Sequence, residues 1–243
     1  MPKRKEQLEN MEIYHVTVRR IGDSLLFQDV NDQYRGIFSI YEFNNSNFVE
    51  IRRRREERRQ WKNKKKYGNR VAVFAEEPDK RDGFVDVLAF CLMPNHLHLL
   101  LRQVQDNGIS RFMQKLGAGY ASYFKEKYQL QNKGYFFQGR FRAVRIENDE
   151  QLKTVFVYIH TNPIALIEPG WKENGIRNIE KVIEFLENYK WSSYQDYLGK
   201  KNFPSVTERA FLSEIMGGEK SCKDFVDNWV QYKEKTSRGP ASG

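Results

Sequence analysis

The sequence predicts an α+β fold: an antiparallel-rich central sheet with helices packed on one or both faces. Three observations predict it. Short alternating, β-branched-rich runs occur at 12–19, 84–92 and 96–103. The last two are separated by Pro94-Asn95, a turn signal that makes them a hairpin. Segments of helical spacing fall between and after the strands, at 29–43, 110–128 and 149–161. The resulting order is β-α-β-β-α-β-α.

Each element has its own signal. Glu12 to Arg19 alternates along the first strand, and Gly22-Asp23 turns the chain. Tyr34, Ile37, Phe38 and Tyr41 mark the first helix, which Asn44-Asn45-Ser46-Asn47 breaks. Residues 46–80 read as an insertion that begins as a helix over Phe48 to Lys66 and ends in the polar loop Glu76-Glu77-Pro78-Asp79. Its charge density argues against burial. Phe112, Met113, Leu116, Tyr120, Tyr123 and Phe124 line one face of the long helix at 110–128. Residues 135–146, basic and aromatic, read as a strand or strand pair. Asn148-Asp149-Glu150 caps the next helix, and Asn162-Pro163 stops it. Further helices are expected at 178–187, 207–216 and 221–232, with Trp191-Ser192-Ser193-Tyr194 capping a short turn that ends near Gly199.

Composition sets the class. The chain has 243 residues and a formal net charge of +9. The stretch Arg52–Arg70 holds eleven Lys or Arg and two Glu, a net of +9, equal to that of the whole chain. Such a block attracts polyanions by counterion release, and nucleic acid is the commonest of them. It lacks the apolar face that a membrane surface would need, because Trp61 and Tyr67 stand nearly alone. No run is long and apolar enough to span a bilayer, and the N-terminus has no apolar core of a secretory signal. The two cysteines, Cys91 and Cys222, form neither a metal-type spacing nor a disulfide framework, which suits a reducing, cytoplasmic setting.

Two stretches carry candidate chemistry. In Met93-Pro94-Asn95-His96-Leu97-His98-Leu99, the histidines are two apart on a strand and share a face, so both imidazoles can meet one divalent ion. Two of the chain's four histidines sit here. In Tyr158-Ile159-His160-Thr161-Asn162-Pro163, Tyr158 and Asn162 are four apart on a helix and share its face. A tyrosine hydroxyl can attack phosphorus and leave a phosphotyrosine link if the phosphate is activated. The Asn162 amide oxygen could complete a His-His-amide metal site. His15 and His160 read as structural or surface residues.

The ordered set His96-Leu97-His98, Phe137-Gln138-Gly139-Arg140-Phe141, Tyr158 to Pro163 and Trp191 to Tyr194 resembles the single-tyrosine HUH transposases, specifically the REP-associated tyrosine transposase group of the IS200-like superfamily. The resemblance covers about residues 12–199 apart from the basic insertion. It implies a ferredoxin-like HUH nuclease sheet and a catalytic domain over 1–199, followed by a helical extension over 200–235 and a disordered tail over 236–243. It implies Tyr158 as nucleophile, His96, His98 and Asn162 as ligands, and Mg²⁺ or Mn²⁺ as the ion. Relatives often place Gln at the position of Asn162, so the reach of this amide is shorter. The activity implied is cleavage and rejoining of single-stranded DNA at hairpin or palindromic ends through a 5′-phosphotyrosine. Imidazoles also suit Zn²⁺ and Ni²⁺, so the ion follows from the chemistry and not from the ligand type. The expected DNA contacts are Gln138, Arg140 and Arg142, together with Arg52, Arg53, Arg54, Arg55, Arg58, Arg59, Lys62, Lys64, Lys65 and Lys66 as a phosphate clamp. Two other readings share the scaffold: a non-catalytic nucleic-acid-binding protein and a metal-dependent nuclease that uses water. The expected setting is the prokaryotic cytoplasm, at the nucleoid and with no membrane, and the candidate assembly is a homodimer.

Overall fold

The computed structural model describes residues 7–22, 24–67, 81–131 and 134–235. Four strands, β1 (Ile13–Arg19), β2 (Val85–Met93), β3 (His96–Gln103) and β4 (Arg142–Arg145), form one sheet in the order β2-β3-β1-β4. Every neighbouring pair is antiparallel. With α1 (Val30–Phe43) between β1 and β2, and α3 (Gly108–Lys127) between β3 and β4, this is the ferredoxin-like βαββαβ arrangement. The expected α+β class is what the chain adopts. β2 and β3 join through Pro94-Asn95, with Met93 opposite His96.

Local chemistry sets the helix starts. The Asp29 carboxylate accepts from the backbone N–H groups of Asn31 and Asp32 and opens α1. Asn148 caps α4 (Asp149–Thr161) by accepting from the N–H of Gln151 at 2.8 Å, and Asp149 and Glu150 suit the positive end of that helix. Pro163 lacks the N–H to extend α4, and the chain tightens into a 3-10 turn over Asn162–Leu166.

The sheet separates two cores. On one face, Tyr14, Val16, Leu97, Leu99 and Leu101 pack with α1 and α3. On the other, Leu88, Ala89, Cys91, Met93 and Leu100 pack with α4 and the C-terminal helices. A bulge at Val87/Ala89 lets the successive residues Leu88 and Ala89 both join the second core. That core also takes residues from α5 (Trp171–Asn174), α6 (Ile179–Asn188), α7 (Tyr194–Tyr197), α8 (Ala210–Met216) and α9 (Gly218–Lys235). Val226 and Val230 of α9 are buried with Phe156 and Ile159 of α4. The C-terminal helices therefore hold α4 against the sheet.

Two expectations need correction. The basic run forms α2 (Ile51–Tyr67), as expected, but one side of it docks on the body. Arg54 and Arg58 pair with Glu42, whose side chain is fully buried, and Arg58 lies over the Tyr41 ring at 4.5 Å. A carboxylate placed inside α1 overcame the charge density that argued against burial. The stretch 135–146 is neither a long strand nor a strand pair. Phe137 makes one bridge to Arg20, Gly139 at φ 142° breaks the extension, and regular pairing resumes at Arg142. The loop at 76–79 and the tail at 236–243 lie outside the described residues. Among the described residues, no helix is long and apolar enough to cross a membrane.

Candidate active site

Strand alternation builds the site. His96, His98 and Leu100 share one face of β3, and His15, Thr17 and Arg19 share the same face of β1. The register places Thr17 opposite His98 and Arg19 opposite His96. On the next strand Arg142 lies opposite Thr17, and Val144 opposite His15. Leu100 is covered by the second core, whereas the histidines open into a cleft of about 380 Å³. The cleft is lined by His15, Thr17, Arg19, His96, His98, Arg142, Val144 and, from α4, Tyr158.

The rings are in close array. The His96 and His98 centroids are 4.7 Å apart, and Tyr158 stands edge-on to both His98 and His15 at 5.6 Å. Tyr158 lines the cleft and is 40% exposed. The orientation of α4 behind it is fixed by His160, which is buried with its Nε2 2.8 Å from the Ser193 hydroxyl. Ser193 also accepts from the N–H of Phe90, and Trp191 accepts from the N–H of Leu92. The Trp191-Ser192-Ser193-Tyr194 segment thereby ties α4 to β2. His160 is structural, as expected, whereas His15 is not and belongs to the cleft.

The imidazoles are neutral at neutral pH. Burial first, and nearby cationic side chains second, push His15 and His96 down to about 4. Burial pushes His98 to about 2, with the neighbouring His96 and His15 adding to it. Neutral rings keep the lone pairs that a metal ion needs. Asn95 Oδ1 accepts from His96 Nδ1 at 2.6 Å, and His98 Nδ1 lies 3.0 Å from His15 Nε2. His98 Nε2 is buried with no hydrogen-bond partner. A cleft-lining imidazole with an unsatisfied nitrogen fits a divalent ion. Among the described residues no group of three or more His, Cys, Asp or Glu could hold one. A centre here would draw on the imidazoles of His96 and His98, with its other donors coming from outside this class of side chain.

The other expected residues are dispersed. Asn162 follows the last residue of α4 and its amide donates to the Tyr158 carbonyl at 2.6 Å; it is not among the residues lining the cleft. Gln138 lies in the loop before β4, held by its N–H to the Arg19 carbonyl. Arg140 lines a separate, mostly apolar groove of about 540 Å³ with Val18, Leu97 and Met113, on the opposite face of the sheet. Arg52, Arg53, Arg54, Arg55, Arg58 and Arg59 lie on α2, outside α1 and across the sheet from the cleft. Lys62, Lys64, Lys65 and Lys66 continue that helix, and their side chains lie outside the described residues. Sequence reading missed His15, Thr17 and Arg19. Their alternation along β1 was a usable signal, but nothing local told which strand β1 would meet.

Likeness to known proteins is uneven. No curated protein matches the chain. A structure of a REP-associated tyrosine transposase bound to a REP hairpin is similar at 16% identity and a TM-score of 0.46, covering 86% of this chain and 96% of that one. The tRNA(His) guanylyltransferase of Saccharomyces cerevisiae is similar at 10% identity and a TM-score of 0.33, over 94% of this chain and 81% of that one. A bacterial tRNA(His) guanylyltransferase-like protein in complex with ATP gives 12% identity and 0.36, over 76% and 73%. Superpositions this partial carry nothing toward the chemistry. Residues 48–162 match the family model described as "Transposase IS200 like". That segment, a little under half of the chain, carries His96, His98, Tyr158 and Asn162, and there the chain is similar to the IS200-like transposases.

Proposed function

We propose that this protein is a transposase that cleaves and rejoins single-stranded DNA at hairpin or palindromic ends, with Tyr158 as nucleophile, in the manner of the REP-associated tyrosine group. The observation that carries the reading is the meeting of Tyr158 with His96 and His98 in one cleft, from a helix and a strand that are far apart along the chain. All three residues of this cleft come from one chain.

Each group in the cleft has a task in this reaction. Arg142 and Arg19 line the cleft and attract the DNA phosphate. His96 and His98 would hold Mg²⁺ or Mn²⁺, and the Asn162 amide, here bonded to the Tyr158 carbonyl, would have to turn toward the cleft to act as a further donor. The chemistry such an ion would supply when bound is polarisation of a non-bridging phosphate oxygen and alignment of the scissile bond. The Tyr158 hydroxyl oxygen attacks phosphorus and gives up its proton to solvent. The phosphorus–O3′ bond breaks, and the leaving 3′ oxygen takes a proton to become a hydroxyl. The product is a 5′-phosphotyrosine, and attack by another strand's 3′-hydroxyl returns Tyr158 and joins DNA. One phosphodiester is exchanged for another, so no nucleotide cofactor is consumed. Across the sheet, the outward arginines Arg52, Arg53 and Arg59 of α2 hold duplex or hairpin phosphate away from the chemistry.

The test is incubation with Mg²⁺ or Mn²⁺ and labelled single-stranded hairpins taken from the flanks of the gene, with Tyr158→Phe alongside. A protein–DNA adduct on denaturing gels that disappears in the variant supports the reading. Cleavage without an adduct, persisting in the variant, assigns a hydrolase using water. Binding without cleavage assigns a non-catalytic nucleic-acid-binding protein.

A further inference from the structure

We infer that His15 is a positioning residue for the metal centre: it holds His98 in the tautomer protonated at Nδ1 and so turns a bare Nε2 to the ion. The inference rests on the metal-assisted reading above. It concerns a residue of β1, outside the matched segment 48–162.

A single shared proton links the two rings. His15 Nε2 and His98 Nδ1 are 3.0 Å apart, and the two ring planes lie within 12° of each other. Ring nitrogens donate and accept in the plane of the ring, so near-coplanar rings at this distance share a single in-plane hydrogen bond. Either ring could donate it. The other nitrogen of His98 decides. His98 Nε2 is buried and has no partner. Were the proton there, a buried N–H would be orphaned, a rare and costly state. With the proton on Nδ1, Nε2 is a lone pair that a cation satisfies. The bond then runs from His98 Nδ1–H to His15 Nε2, and the His15 proton sits on its own Nδ1.

His96 repeats the pattern. An amide oxygen only accepts, so His96 Nδ1 carries the proton that it donates to Asn95 Oδ1 at 2.6 Å. Both histidines of the pair thus have Nδ1 engaged and Nε2 kept for a ligand. An unconstrained histidine side chain prefers its proton on Nε2, so the tautomer of His98 has to be imposed, and His15 is placed to impose it. This is the usual role of an outer partner to a ligating histidine. A direct ligand role for His15 conflicts with the geometry. Its Nε2 is taken up by His98 Nδ1, which lies on a different edge of that ring from Nε2. His15 also stands edge-on to Tyr158 at 5.6 Å, so the same ring braces the nucleophile.

The test combines two readouts on the full chain. In metal-free protein labelled with ¹⁵N-histidine, long-range ¹H–¹⁵N spectra at neutral pH report which nitrogen of each ring is protonated. Mn²⁺ titration reports the affinity. We expect His98 as Nδ1–H in the wild type. In His15→Ala it reverts to Nε2–H, and Mn²⁺ binding weakens by about 10–100-fold. In His15→Gln, where an amide oxygen can accept the same bond, the tautomer and most of the affinity return. A wild type with His98 as Nε2–H overturns the inference, as does Mn²⁺ binding by His15→Ala as tight as the wild type's. Should His15→Ala fail to fold, a His15→Gln protein that binds Mn²⁺ poorly also overturns it. A wild type that binds no Mn²⁺ removes the metal-assisted reading and this role together. A wild type that binds Mn²⁺ with the opposite tautomer removes this role alone.

Discussion

Arg54 and Glu42 form the seam between the basic helix and the body of the protein: Arg54 Nε lies 2.9 Å from Glu42 Oε2, and the Glu42 side chain has no exposed surface. Arg58 Nε stands 3.0 Å from the other carboxylate oxygen, close enough for an ion pair but not aligned for a hydrogen bond. Removing both arginines leaves a buried carboxylate without its cations. The double variant Arg54→Leu/Arg58→Leu is expected to lose about 3–5 kcal/mol in urea unfolding. Adding Glu42→Leu should recover most of that loss, because the cost lies in the unpaired charge.

The outward arginines of α2 should behave in the opposite way. Arg53 pairs with Glu57 and Arg59 with Glu56 on exposed surface, pairings worth little to stability, and Arg52 is 88% exposed. Replacing Arg52, Arg53 and Arg59 by Ala should change the thermal midpoint little. It should weaken hairpin DNA binding and lower the slope of log affinity against log salt by about one for each phosphate that is no longer neutralised. Fluorescence anisotropy over a salt series reads both.

Metal affinity should rank by donor. His96→Ala and His98→Ala each remove an imidazole from a centre that has two, and Mn²⁺ binding by calorimetry should become undetectable. Asn162→Ala, at the end of α4 and outside the cleft lining, should weaken it by about tenfold. An unchanged affinity in Asn162→Ala would confine that residue to its bond with the Tyr158 carbonyl.

Tyr158→Phe should fold as the wild type does. The ring is 40% exposed, and the change is expected to move stability by less than about 0.5 kcal/mol. Hairpin DNA binding should persist while adduct formation is lost, separating recognition from chemistry. Loss of binding in this variant would show that the hydroxyl anchors the DNA.

Stability should fall on the acid side. Burial holds His160 at about 3, and holds His15 and His96 at about 4, all below the ordinary histidine value of 6.5. Below about pH 6.5 the unfolded chain takes up protons that the folded chain refuses. The stabilisation is therefore complete above that value and declines as pH falls toward 4 and 3. Thermal melts between pH 7 and 4 should show falling midpoints. His160→Gln, which cannot take up that proton, should flatten part of the slope.

The local parts of this design are legible in the sequence. Alternation marks β1, β2 and β3, and the strand His96–Gln103 is found to the residue because Pro94-Asn95 punctuates it on one side. The Asp29 and Asn148 caps and the stop at Asn162-Pro163 set helix ends through bonds that span three or four residues. The candidate pair His96/His98 and the tyrosine Tyr158 are visible because spacing on one element determines which face a side chain takes. The stretch 135–146 misled because aromatic and β-branched content marks a strand without showing where Gly139 interrupts it.

The sequence by itself determined most of the elements, the shared face of His96 and His98, the position of Tyr158 on its helix and the basic character of α2. The tertiary structure alone decided that His15 stands beside His98 and that Glu42 receives Arg54 and Arg58. Both depend on which element meets which, and in what register. A slip of one residue in the β1–β3 pairing would send His15 to the other face of the sheet. That choice is made by burial of Tyr14, Val16, Leu97, Leu99 and Leu101 in a common core, a sum over distant residues that no local pattern contains.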